Sequence, residues 1–145
     1  MKKGFTLVET VVSLAVILVV SFAFFSMATF ASVNLEKSNI KNYGIIEIQG
    51  ITNVFGGTSF ESGGQFSMAE FEENLAFCGY ELKEENQTFT FSKQIDGAGQ
   101  TSIKGKGQYQ FWVSENSGVV TLSGKIFYDE KVLYEMPNFE RVVNL

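Results

Sequence analysis

Gly4-Phe5-Thr6-Leu7-Val8-Glu9 follows Lys2 and Lys3 and precedes a run, Thr10 to Leu35, that holds no charged residue, no Gly and no Pro. This stretch decides the architecture. Its centre reads Val11-Val12-Ser13-Leu14-Ala15-Val16-Ile17-Leu18-Val19-Val20 and continues through Phe22, Phe24 and Phe25. The run exceeds the ~20 apolar residues that a membrane-spanning helix needs. It also exceeds the roughly 7–15 residues of a secretory h-region. Ser26-Met27-Ala28 has the small residues of a signal-cleavage site, but the length of the run and the carboxylate of Glu9 oppose that reading. A charge at the centre of a spanning helix costs about 2.5–3.5 kcal/mol on insertion scales and less near the interface, so Glu9 calls for a partner. Lys2 and Lys3 place the N-terminus in the cytoplasm by the positive-inside rule, with the C-terminal part outside.

Met1-Lys2-Lys3-Gly4 followed by Phe5-Thr6-Leu7-Val8-Glu9 resembles the prepilin leader of type IV pilins and related pseudopilins. The resemblance covers about the first 35 residues. It implies cleavage between Gly4 and Phe5 by a membrane prepilin peptidase, which would also methylate the new amine of Phe5. It further implies that Glu9 pairs with the N-terminal amine of a neighbouring subunit inside a filament. The physics agrees with that role. An α-amine has a pKa of about 7.7–8.0 and is mostly cationic at neutral pH. A cation and a carboxylate in an apolar core each cost several kcal/mol unless paired. The chain departs from the family in two respects. It has no Pro or Gly inside the apolar half of the helix, so melting there on assembly does not carry over. Its one cysteine, Cys78, cannot close an intramolecular disulfide.

The expected organisation is a leader at 1–4, an apolar transmembrane and assembly helix at 5–34, an amphipathic continuation at 35–55 and an extracytoplasmic head at 56–145. One helix of about 75 Å would run from Phe5 to near Val54 at 1.5 Å per residue. Gly44 and Gly50 are weak points, each costing about 1 kcal/mol relative to Ala. Ile40, Tyr43, Ile48, Ile51, Val54 and Phe55 lie within about 140° of one another and form an apolar stripe. Glu47 interrupts it.

Gly56-Gly57 should end the helix, and Thr58 to Gln65 forms a Gly/Ser-rich loop. Ser67-Met68-Ala69-Glu70 has capping-box spacing and opens a short helix to about Phe77, with Phe71 and Leu75 inward and Gly79 as its stop. Cys78, between Phe77 and Gly79, is expected as a buried, inert thiol. From Tyr80 the apolar period changes to two. Strands are predicted at Tyr80–Lys83, Gln87–Ser92, Gln108–Val113, Val119–Tyr128 and Val132–Met136, and are gathered as a sheet of about four. Pro137 should end the last of them. The stretches Asp96–Gly99 and Gly105–Gly107 bracket a mobile loop. Tyr109, Phe111 and Val113 face the core, and Trp112 faces away. The fold class is α+β: a long N-terminal helix packed on a small antiparallel sheet.

Composition narrows the function. The sequence has no His, which removes the commonest general base and metal ligand. Glu70, Glu72 and Glu73 read as a first helical turn rather than a metal cluster. No enzyme, cofactor or metal is expected. Net charge is −5 and would be −7 without Lys2 and Lys3, which speaks against nucleic acid as a main partner despite Lys93, Lys104 and Lys106. Asn86-Gln87-Thr88 matches a glycosylation sequon by chance, since the leader is bacterial. The expected partners are prepilin peptidase, other pilin or pseudopilin subunits and lipid of the bacterial cytoplasmic membrane. Two classes stay open. One is a structural subunit, a minor one, of a type IV pilus or a related competence or secretion pseudopilus. The other is an uncleaved, membrane-anchored binding module with Trp112 and the Gly97–Gly107 loop as its contact surface.

Overall fold

A long helix, α1 (Leu7–Gly57), is followed by a short one, α2 (Met68–Phe77), and then by five strands. These are β1 (Glu81–Glu85), β2 (Thr88–Ile95), β3 (Gly107–Asn116), β4 (Val119–Tyr128) and β5 (Lys131–Val142). The computed structural model describes residues 6–60, 66–85, 88–98, 100, 102 and 105–142. Internal contacts divide the chain into two units, Met1–Leu35 and Glu36–Leu145.

In the first unit the helix buries none of its apolar side chains; Leu14, Ile17, Leu18, Phe22 and Phe25 are all exposed. Three of its hydroxyls are absorbed by the helix itself. Thr10, Ser26 and Thr29 donate to the carbonyls of Leu7, Phe22 and Phe25 at 2.8, 3.0 and 2.9 Å. Back-bonded hydroxyls leave a surface that lipid or another apolar helix can cover without stranding a donor.

The second unit is an antiparallel meander with spatial order β1-β2-β3-β4-β5, carrying helices on one face. Strand alternation builds its core: Phe91, Ile95, Tyr109, Phe111, Val113, Val120, Leu122 and Ile126 are buried. Against them lies the stripe Ile40, Gly44, Ile48, Ile51 and Phe55 of α1. Tyr43 and Val54, expected in that stripe, lie outside its buried set, and Gly44 takes the central place. A Cβ on Gly44 would collide with Ile126 and come within 2.9 Å of Tyr109 Cε1. The helix can therefore lie this close to the sheet only because position 44 carries no side chain.

Phe71 of α2 sits edge-on to Phe91 at 5.3 Å and to Phe55 at 6.0 Å, joining the two helices and the sheet. The helix ends at Gly57, three residues beyond the expected Val54. Arg141 of β5 closes it: its Nη1 donates to the carbonyls of Phe55 and Thr58 at 2.7 and 2.6 Å. The guanidinium also lies 4.5 Å over the Phe60 ring. A cation at a helix C-terminus satisfies orphan carbonyls and suits the macrodipole.

Several expectations are corrected. The sheet has five strands rather than about four, because all five predicted segments pair in one meander. Pro137 does not end β5. The ladder pairs Met136 with Gly124 and Phe139 with Leu122, so Pro137 and Asn138 lie opposite the single residue Ser123 in a bulge. A residue without an N–H is tolerated in an edge strand at such a place. The Ser67 capping box does not form. Ser67 holds the N-cap position without a side-chain capping bond, and Glu70 instead accepts from the backbone N–H of Ser59 at 3.0 Å. Gly79 does stop α2. At φ 82° it allows a Schellman closure, with Tyr80 N–H on Leu75 and Gly79 N–H on Ala76 at 3.2 and 2.9 Å. The thiol of Cys78 is exposed rather than buried, because the closure turns residues 77–79 outward. The turns Ser117-Gly118 and Asp129-Glu130 both have positive φ, the geometry of two-residue hairpin loops. The loop at 61–65, the turn at 86–87 and much of the β2–β3 connection lie outside the described residues, as do the sequon residues Asn86 and Gln87 and the lysine at 104.

The two glycines of α1 should respond oppositely to alanine. No atom lies within 4 Å of a Cβ on Gly50, so Gly50→Ala should stabilise by up to about 1 kcal/mol through helix propensity. Gly44→Ala should destabilise by about 1–3 kcal/mol despite the same gain, through overpacking on Ile126 and Tyr109. Chemical unfolding of the full chain in detergent checks both; equal shifts of one sign would contradict the close helix–sheet contact.

Candidate functional site

At the N-terminus Thr6 and Glu9 form a closed local unit. Glu9 Oε2 accepts from the Thr6 backbone N–H at 3.0 Å and from Thr6 Oγ1 at 3.1 Å. The Glu9 N–H donates to Thr6 Oγ1 at 3.4 Å. This reciprocal arrangement is a capping box that starts α1. Reading the sequence for Glu9 alone passes over Thr6, although the Thr-x-x-Glu spacing carries the signal. Only Oε2 is engaged; Oε1 has no hydrogen-bond partner among the described residues. Gly4 and Phe5 lie outside the described residues. Beyond Glu9, α1 is the one described helix long and apolar enough to cross a membrane.

In the second unit the charged groups nearest the core serve packing. Glu47, the interruption in the apolar stripe, is answered by Lys93 of β2, whose Nζ lies 2.9 Å from Glu47 Oε1. The side chains of Lys93 and Glu47 are 9% and 30% exposed, so this pair sits under the sheet. Tyr80 donates its hydroxyl to Glu47 Oε2 at 3.1 Å. Two more tyrosines tie the sheet to α1: Tyr109 donates to the Ile40 carbonyl at 3.0 Å and Tyr128 to Glu36 Oε2 at 2.8 Å. Burial and the Glu47 charge push the Tyr80 and Tyr109 hydroxyls well above the ordinary tyrosine range. Burial, then the hydrogen bond and charge of Glu36, push Tyr128 up to about 12.

Lys93 thus points inward, and Lys106 lies 5.9 Å over the Tyr128 ring. Lys106 is exposed. Among the described residues no group of three His, Cys, Asp or Glu side chains could hold a metal ion. Trp112 stands on the face of β3 opposite the helices, half-buried between Thr90 of β2 and Ser123 of β4.

A long apolar N-terminal helix whose later part packs on an antiparallel sheet is the class of protein defined here. Residues 1–25 match the family model described as the prokaryotic N-terminal methylation motif. The chain therefore carries the N-terminal signature of the type IV pilin-like proteins, whose family role is structural rather than enzymatic. No curated protein and no solved structure matches the chain significantly.

The three buried tyrosines set a pH limit. Their folded pKa values are raised, so their contribution is fully present below the unfolded value of about 10 and is lost as pH rises above it. Between pH 10 and 11 the three together should lower the unfolding free energy by about 3 kcal/mol. Tyr128→Phe should remove about a third of that slope. With no His in the chain, no such side-chain titration is expected between pH 6 and 9. Urea unfolding at stepped pH measures both; an alkaline slope unchanged by Tyr128→Phe would contradict the assignment.

Proposed function

We propose that the chain is a minor subunit of a type IV pilus or a related competence or secretion pseudopilus. The observation that carries this reading is the methylation motif at residues 1–25 on a long helix whose apolar N-terminal stretch is left unburied among the described residues. Prepilin peptidase cuts after Gly4 and methylates the amine of Phe5. Before the cut the protein is a single-pass membrane protein with Lys2 and Lys3 inside and the sheet unit outside. After it, the helix moves from lipid into the filament core.

Glu9 is the residue on which assembly turns. Its Oε2 belongs to the capping box, and its Oε1 is open to the methylated amine of an adjacent subunit. In a dry filament core that pair relieves two desolvation costs and fixes the axial register. A sheet unit held by its core alone, with one cysteine in the whole chain, supports a minor rather than a major role.

Two measurements test the reading. In cells carrying a prepilin peptidase, intact mass and N-terminal sequencing should give a chain starting at methylated Phe5. A chain starting at Met1 would favour an anchored binding module, and one starting near Thr29 a conventional secreted domain. Separately, Glu9→Ala should reach the membrane at normal levels yet enter sheared filaments at least tenfold less. Normal incorporation of that variant would sink the pairing.

A further inference from the structure

The face of the sheet turned away from the helices carries an ordered array that the filament reading does not use. Strand register arranges it in rows. One row is Lys83, Thr90, Trp112 and Ser123; the next is Glu81, Ser92, Gln110 and Lys125. A third holds Gln94, Gln108 and Phe127. Successive rows are two residues, about 7 Å, apart along the strands. Neither helix lies over this face: α1 packs on Tyr109 and Ile126, and α2 on Phe91, all on the other side.

Over the β1–β2 side the face deepens into a cleft of about 350 Å³. Glu81, Lys83, Lys93, Ser92, Gln94 and Gln108 line it with Gly79, and Ser102 of the β2–β3 connection forms a wall. That volume falls in the range of small-molecule sites, about 300–1,000 Å³. Gln110, beside Ser92, joins the cleft to the Trp112 row. Among the described residues, the hydroxyls and amides of Thr90, Ser92, Gln94, Gln108, Gln110 and Ser123 have no hydrogen-bond partner, nor has the indole N–H of Trp112. The centre of the face is uncharged, and its charges lie toward the edges: Glu81 and Lys83 on β1, Lys125 paired with Glu135 at 3.0 Å, and Glu140 opposite Thr121.

We propose that this face binds a neutral glycan, a strand of uncharged pyranose units, with Trp112 as the stacking platform. The axial C–H groups of one ring would pack on the indole face, by the dispersion and amphipathic character that place Trp at binding surfaces. The next ring would enter the cleft, where Gln94, Gln108, Gln110 and Ser92 offer donors and acceptors for its hydroxyls and Glu81 accepts from one of them. The uncharged centre of the face and the ladder pairing select this occupant over others. A nucleic acid would need a cationic track, and among the described residues this face offers Lys83 and a paired Lys125, with Lys93 at the cleft already paired to Glu47. A peptide adding as a strand would pair at the β1 or β5 edge and not over Trp112, since β2 and β3 are paired on both sides. The inference stands apart from the pilin reading, since it requires neither cleavage nor assembly.

Trp112 is the only tryptophan in the chain, so its fluorescence reports this face alone. The full chain, in a detergent without a sugar headgroup, would be titrated with cellohexaose and chitohexaose, with a duplex DNA oligomer and a heparin fragment as charged controls. The expected result is a saturable fluorescence shift with at least one neutral oligomer and none with either control. Gln110→Ala should weaken that binding at least fivefold with unchanged circular dichroism. By calorimetry, Trp112→Ala should weaken it at least tenfold, and Trp112→Phe less. The absence of saturable change up to about 10 mM of both neutral oligomers, enough to reveal a Kd of a few mM, would overturn the proposal. So would a shift produced only by the charged controls, or binding indifferent to Gln110→Ala and Trp112→Ala.

Discussion

The close approach of α1 to the sheet at Gly44 is the constraint on which the second unit depends. With no side chain at 44, Tyr109 and Ile126 can lie against the helix backbone, and Ile40 and Ile48 drop into the core on either side. Three tyrosine hydroxyls then reach α1, from β4, from β3 and from the residue just before β1, at Glu36, Ile40 and Glu47. A two-layer domain of this size has a small core, and hydrogen bonds made under burial are worth more there than on a surface. The seam also explains Glu47. A carboxylate in an apolar stripe would be costly alone, but Lys93 and Tyr80 meet both of its oxygens.

The first unit obeys the opposite rule. It has apolar side chains all round and no protein layer of its own. Such a helix is stable only in lipid or among other helices. Its single carboxylate is at the first turn, where the capping box with Thr6 and the helix dipole both favour it. Glu9 can thus be held in place in an isolated chain and still offer an oxygen to a second one.

Much of this is legible in the amino-acid sequence. The apolar run and its leader are long, continuous signals that no tertiary context overrides. The strands at 108–113 and 119–128 alternate cleanly, so Tyr109, Phe111 and Val113 were placed on the core face and Trp112 on the other. Failures occurred where tertiary structure chooses between local options. Ser67-x-x-Glu70 has the spacing of a capping box, but Ser59 competes for the Glu70 carboxylate and wins. Pro137 is a strand breaker by propensity, yet a bulge on an edge strand accommodates it. Gly44 read as a helix weakness because its role is a contact with residues 65 and 82 positions away. The partners of Glu47 and Arg141 were invisible for the same reason.

The two faces of the sheet are under unequal demands. The helix-facing side must exclude water, and it is filled by aromatics and aliphatics set by the strand period. The opposite side has only to remain soluble, which alternating lysine and glutamate would achieve. It carries Thr, Ser and Gln around a tryptophan instead, with charges set toward β1 and β5. Trp112 contributes little to the core from that position, and its indole N–H has no partner among the described residues. A large amphipathic ring with two side-chain torsions, flanked by Thr90 and Ser123 and beside a polar cleft, has little freedom to lose when a ligand settles on it. That preorganisation distinguishes the face from an ordinary solvated surface, on which polar side chains are long, charged and mobile.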